Sequence, residues 1–184
     1  MGIRNAGRRL GVAMGALALA GAGIVAAALP AAAAQVDVVK ADSIVITNES
    51  NTVNNVQWQT ARISFDWDIS GKGVTTGDSF TIELPPLFAG NSASFPILAI
   101  DNVTTIANCT VTSRPADQST GGALTCVFTD YVTSHPTAAG DGWFRAQFAE
   151  TTTTETTELK VNAVVEVVDL PGTGGVVPPT PTEQ

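Results

Sequence analysis

One histidine, one tyrosine and two cysteines in 184 residues leave this chain few of the groups from which active sites are built. Charge is scarce as well: 14% of residues are charged, where a globular chain usually carries roughly 25%. Leu, Glu and Lys are thin where Thr and Val abound, which excludes a helical bundle or coiled coil. The histidine, His135, lies in Thr133-Ser134-His135-Pro136. Ser134 and Asp130 are near it, but no nucleophile elbow or ordered triad surrounds them, so His135 reads as a solvated loop residue. Asp66 and Asp68 share one strand face. No further oxygen ligands follow at loop spacing, so they read as a solvated face rather than a calcium site or a catalytic carboxylate pair. The expectation is a protein with no catalytic residue, no metal and no small-molecule cofactor.

Basic residues are the next shortage. Nine Lys and Arg face 17 Asp and Glu, a net charge of minus 8. Arg4, Arg8 and Arg9 fall in the first 34 residues, which contain no acid, so the rest of the chain has 6 basic residues against 17 acidic ones, a net of minus 11. Such a surface repels phosphate backbones and anionic lipid, which excludes nucleic acid as a partner.

The first 34 residues divide into a basic start, an apolar stretch from Gly11 to Leu29, and Pro30 followed by Ala31 to Ala34. This is the layout of a secretory signal with cleavage between Ala34 and Gln35. The rival reading is a membrane anchor, since the stretch approaches the roughly 20 residues that span a bilayer, but its Ala and Gly insert weakly. Export agrees with the cysteines. Cys109 and Cys126 flank a turn-rich loop holding Arg114-Pro115 and Gly121-Gly122, and folding that hairpin symmetrically sets the two opposite each other on the apolar face. In an oxidising exterior they would form a disulfide; the alternative is two free buried thiols.

Period-two alternation runs through the remainder. Ile63, Phe65, Trp67 and Ile69 alternate with polar residues, as do Phe80, Ile82 and Leu84, and Phe144, Ala146 and Phe148. Further strands are expected over 43–47, 96–100, 104–112, 123–132 and 158–168, the last with Leu159, Val161, Ala163, Val165 and Val167 on one face. Turn signals include Gly71-Lys72-Gly73, Thr76-Gly77-Asp78, Ala89-Gly90-Asn91 and Gly140-Asp141-Gly142. The expected fold is all-β, an immunoglobulin-like β-sandwich of about eight or nine strands over 35–170. A signal peptide occupies 1–34. A Pro/Gly/Thr-rich linker or tail, with too few large apolar groups to pack, occupies 171–184. Leu170-Pro171-Gly172-Thr173-Gly174 fits the sortase pattern, but no apolar span or basic tail follows it.

Two stretches resemble a known family. Ile63-Ser64-Phe65-Asp66-Trp67-Asp68, then Val74 to Pro85 with its Gly77-Asp78 turn, is similar to the aromatic strand, Gly-Asp turn and Pro-terminated strand of Gram-positive, including actinobacterial, surface adhesins of the fibrinogen- and collagen-binding type. Phe128-Thr129-Asp130-Tyr131-Val132 resembles the core of that family's T-Y-T-F-T-D-Y-V-D motif. The resemblance covers Asp42 to Glu150. It implies a secreted or cell-wall-associated, non-enzymatic module that binds a host or neighbouring-cell protein, such as a collagen- or fibrinogen-like extracellular matrix protein. It also implies a second sandwich domain, encoded downstream, as a partner, and Phe128 to Val132 as the place where ligand or a latch strand adds. The other roles open to such a sandwich are a structural spacer in a larger cell-wall protein and a secreted small-ligand carrier.

Overall fold

The computed structural model describes residues 33–50 and 53–180; the leader as far as Ala32 lies outside them. The strands are β1 Val45–Asn48, β2 Asn55–Val56, β3 Thr60–Asp68, β4 Ser79–Glu83, β5 Phe88–Gly90, β6 Ala93–Leu98, β7 Thr105–Val111, β8 Ala123–Phe128, β9 Ala139–Phe148, β10 Thr156–Val161, β11 Val164–Asp169 and β12 Val176–Val177, with a 3-10 turn at Ala41–Ser43 and a short α-helix, α1, at Tyr131–Ser134. They form a four-stranded sheet in the order β1-β3-β9-β5, a six-stranded sheet in the order β11-β10-β4-β8-β7-β6, and a two-stranded ribbon of β12 and β2.

Alternation is the cause of the sandwich. On β3, Ala61, Ile63, Phe65 and Trp67 turn inward; on β4 and β8, Phe80, Ile82, Leu124, Cys126 and Phe128 do, and all are at most 2% exposed. The sheets meet through aromatic contacts: Phe65 lies edge-on to Phe80 at 5.7 Å, and Trp67 tilts against Phe128 at 6.3 Å. Each such side chain stabilises the fold by about 1.5–3 kcal/mol on burial. Cys109 and Cys126 pair in register and are joined by a disulfide, their Cα atoms 4.0 Å apart.

The structure departs from the sequence reading in four places. The run 158–168 is two strands, because Asn162 and Ala163 both adopt positive φ (47° and 71°) and reverse the chain. The Asn162 amide holds the reversal, accepting from the Thr81 N–H at 2.9 Å and donating to the Val36 carbonyl at 2.8 Å. Val165 and Val167 therefore lie exposed opposite Lys160 and Glu158, away from the face of Leu159. Second, the run 123–132 stops being a strand at Phe128 and turns into α1. Third, Gly140-Asp141-Gly142 belongs to β9 rather than to a turn. Phe65 and Trp67 lie directly across from Gly142 and Gly140, and a Cβ on Gly142 would sit 2.6 Å from the Phe65 ring, so glycine makes room for the facing aromatic. Gly90 likewise ends β5.

Fourth, the Pro/Gly/Thr-rich segment packs in its first half. Within it Gly175 and Val176 are buried, Val176 to 1% exposure. Asn55, itself buried, donates to the Pro171 and Gly175 carbonyls at 2.6 and 3.0 Å, and β12 runs parallel to β2. A single buried amide thus replaces the apolar bulk the segment lacks.

Candidate functional site

The five motif residues end a strand that has neighbours on both sides. β8 pairs with β4 along one edge and β7 along the other. Phe128 is core. The Thr129 hydroxyl donates to the Thr105 and Ile106 carbonyls at 2.6 and 3.0 Å, Asp130 is exposed, and Val132 is fully buried. The Tyr131 ring stacks on His135, centroids 3.8 Å apart and 2° from parallel. The group forms a corner where the chain leaves the sheet, and β8 has no free edge for a latch strand.

Free edges lie elsewhere: β1 and β11 each end a sheet, and hydrogen-bond parity locates two more that face each other, on β9 and β6. Phe148 donates its N–H to Gln59 and accepts on its carbonyl from Trp58, so the even residues of β9 aim their main-chain groups at β3 and the odd residues aim away. On that far side β5 covers Ala146 to Phe148, and the Asn91 N–H reaches the Arg145 carbonyl at 3.2 Å. Before Arg145 no described strand is present, so the main-chain groups of Asp141 and Trp143 face open space.

β6 closes the other side of that space. Cys109 and Cys126 approach too closely at their Cα atoms for a hydrogen-bonded pair, so Cys109 turns its main chain toward Phe95. Ser94 and Pro96 consequently point outward. Proline here removes the donor that would otherwise sit on an open edge, as edge strands require.

Between the two edges runs a groove of about 660 Å³, lined by Phe95, Ile97 and Leu98 from β6, by Asp141 to Arg145 from β9, and by Val111, Asn91 and Asn102. Trp143 is 40% exposed on the outer face, flanked by the Arg62 and Arg145 guanidinium groups at 4.2 and 5.3 Å from its ring. The Glu49 carboxylate holds Arg145 at 2.7 Å and raises its pKa further, chiefly through that hydrogen bond. The β6–β7 loop beside the groove carries Ile100 and Val103, fully and 79% exposed. Asp101 shapes it by accepting from the Thr104 hydroxyl and from the Thr104 and Val103 N–H groups, which hold its carboxyl down at about 2.

This site was not anticipated from sequence. The expected strand over 96–100 begins at Pro96, where proline carries no edge signal. β6 spans Ala93–Leu98 and holds Pro96 in its interior, as an edge strand allows. The sequence signal that remained was Trp143, in phase with the polar residues of its strand. Of the residues weighed for chemistry, Ser134 and His135 do meet, hydroxyl to Nδ1 at 3.0 Å, but the same Nδ1 lies 3.0 Å from the Tyr131 carbonyl in an exposed turn. Asp66 is exposed, Asp68 pairs with Lys40 at 3.9 Å, and His135 is exposed. Among the described residues no group of three or more His, Cys, Asp or Glu could hold a metal ion, and no helix is long and apolar enough to cross a membrane.

The sequence matches the bacterial Ig domain family over residues 54–158, more than half of the chain. The chain belongs to the bacterial Ig domain family. Among solved structures, this Ig domain resembles the collagen adhesin of S. aureus with a TM-score of 0.58 at 13% identity, over 82% of this chain and 47% of that one. It also resembles the serine-rich repeat adhesion glycoprotein of Streptococcus agalactiae, TM-score 0.51 at 15% identity, over 82% of this chain and 49% of that one. At these identities the likeness is one of fold, and the chain spans about half the length of the adhesins it matches. No curated protein matches it.

Proposed function

We propose that this Ig domain is a secreted or surface-displayed, non-enzymatic adhesion module that captures an extended segment of an extracellular protein in the groove between β6 and β9. The observation that carries the reading is the bare main chain of Asp141 and Trp143 beside an apolar-lined groove. An edge of that kind accepts a strand, main-chain hydrogen bonds giving affinity and side-chain pockets giving selectivity. Trp143, with its two arginines, is the anchor, in keeping with the dominance of Trp and Arg among residues that carry binding energy. The partner class is a matrix or host-surface protein of collagen or fibrinogen type, a choice supported by fold likeness to adhesins that include a collagen adhesin. One sandwich supplies one wall of such a site, and a second domain of a longer protein would supply the other. Interfaces below about 1,200 Å² are weak, so the affinity of this chain alone is of micromolar order or weaker.

Surface plasmon resonance over immobilised collagen and fibrinogen tests this. Asp141→Pro deletes an outward N–H and should weaken binding at least about tenfold, a loss of roughly 1.4 kcal/mol, while Asp141→Ala, which keeps the N–H, should bind nearly as wild type. Equal binding by both variants would remove strand addition. Absence of binding to either protein by the wild-type chain would favour the spacer role.

A further inference from the structure

We propose that the exported chain is cut between Ala33 and Ala34, one bond earlier than the leader pattern alone suggests, and that the α-ammonium so created is the counter-ion of Asp78. The proposal rests on reading residues 1–34 as a cleaved leader, and the test below separates failure of one from failure of the other.

Asp78 is 5% exposed, at the turn that leads into β4. Its Oδ2 accepts from the Thr75 N–H at 2.8 Å and the Thr75 hydroxyl at 3.0 Å; its Oδ1 accepts from the Ala34 N–H at 2.8 Å. None of the ion pairs among the described residues includes it. A buried carboxylate without a cation is costly, and the one donor on Oδ1 is a group that proteolysis can make cationic. Ala34 belongs to the folded body. Its carbonyl accepts from the Ser79 N–H at 2.8 Å, the Val36 N–H donates to the Ser79 carbonyl at 2.8 Å, and Gln35 bridges to Ser79 in parallel. The Asp78 carboxyl is held below its ordinary range, first by the Ala34 N–H and then by Thr75, against the opposing effect of burial.

The leader pattern allows either bond. Small residues precede the cut in both registers, Ala31 and Ala33 for the earlier one, Ala32 and Ala34 for the later. The fold distinguishes them. Cutting after Ala34 takes away the only donor on Oδ1 among the described residues, whereas cutting after Ala33 keeps that donor and gives it a charge. The step is hydrolysis by a signal peptidase: one water is consumed, the Ala33–Ala34 amide breaks, Ala33 leaves as the carboxylate of the leader, and the Ala34 amine takes up a proton at neutral pH.

The full chain, exported from a Gram-positive host, should show an intact mass beginning at Ala34, and N-terminal sequencing should read Ala-Gln-Val-Asp. At neutral pH an N-hydroxysuccinimide ester should then acylate the Ala34 amine about tenfold more slowly in folded protein than in urea, as one unit of raised amine pKa requires. In Asp78→Asn that protection should be lost; if this variant does not fold, the comparison of folded with unfolded wild type still decides. A start at Gln35 or later overturns the proposal and leaves the leader intact, whereas a start at Met1 overturns both. A start at Ala34 with equally fast acylation of folded and unfolded protein overturns the pairing.

Discussion

β8 and β9 are alike in their alternating stretches: Leu124, Cys126 and Phe128 in one and Phe144, Ala146 and Phe148 in the other turn into the core. In the fold they differ in their neighbours. β8 is hydrogen-bonded along both edges and fastened to β7 by the Cys109–Cys126 disulfide, while Ala139 to Phe144 pairs with a described strand along one edge only. Alternation reports which face of a strand is dry. Availability for strand addition depends on the main chain, which lies at right angles to those faces. The stretch most like a known ligand-binding motif is therefore the one whose main chain is used up.

The largest effect expected from this contrast is on stability. Phe128→Ala removes a ring that touches both Trp67 and Phe80, at 6.3 and 5.8 Å, and should cost about 3–5 kcal/mol in urea unfolding. A change well below 1 kcal/mol would mean the motif is not core and would break the comparison. Next comes the disulfide. Cys126→Ala should cost about 2–5 kcal/mol, without the loss of collagen or fibrinogen binding expected at the groove once the protein is kept folded at low temperature. A selective loss of binding in folded protein would return the site to β8.

How far the sequence could be read follows the same division. The period-two runs of β3, β4 and β9, the disulfide register and the sandwich class were all visible, because each is written in side chains that face a core. The β10–β11 reversal was hidden because Ala163 is a poor occupant of positive φ, and the signal lay in Asn162 alone. The packing of residues 171–177 was hidden because it depends on one buried amide 116 residues away in sequence from Pro171. The groove was hidden because it depends on how far one strand runs along its neighbour: β5 covers three residues of β9 and leaves its beginning bare, facing β6 of the other sheet.

Trp143→Ala is the converse of Phe128→Ala. The side chain lies on the outer face, so stability should change by less than about 1 kcal/mol, whereas affinity for a captured segment should fall by about 2 kcal/mol or more, some thirtyfold. Calorimetry and surface plasmon resonance on the same preparation separate the two. A large loss of stability with unchanged affinity would reverse the assignment of roles to β8 and β9.

The smallest effect belongs to the loop beside the groove and is read through pH. The Asp101 carboxyl is depressed from 3.8 to about 2, first by the Thr104 hydroxyl and then by the Thr104 and Val103 N–H groups. A depressed carboxyl adds stability in full above its unfolded pKa and loses it as pH falls through the folded one. The loop carrying Ile100 and Val103 should therefore keep its shape from neutrality down to about pH 3, relaxing only near pH 2. Amide chemical shifts of Val103 and Thr104 followed through an acid titration should show a midpoint near 2. A midpoint near 4 would mean that Asp101 does not accept these bonds, so the exposed apolar tip would not be pre-set against the groove. Asp101→Asn should move the same two amides at neutral pH and leave those of β8 unchanged.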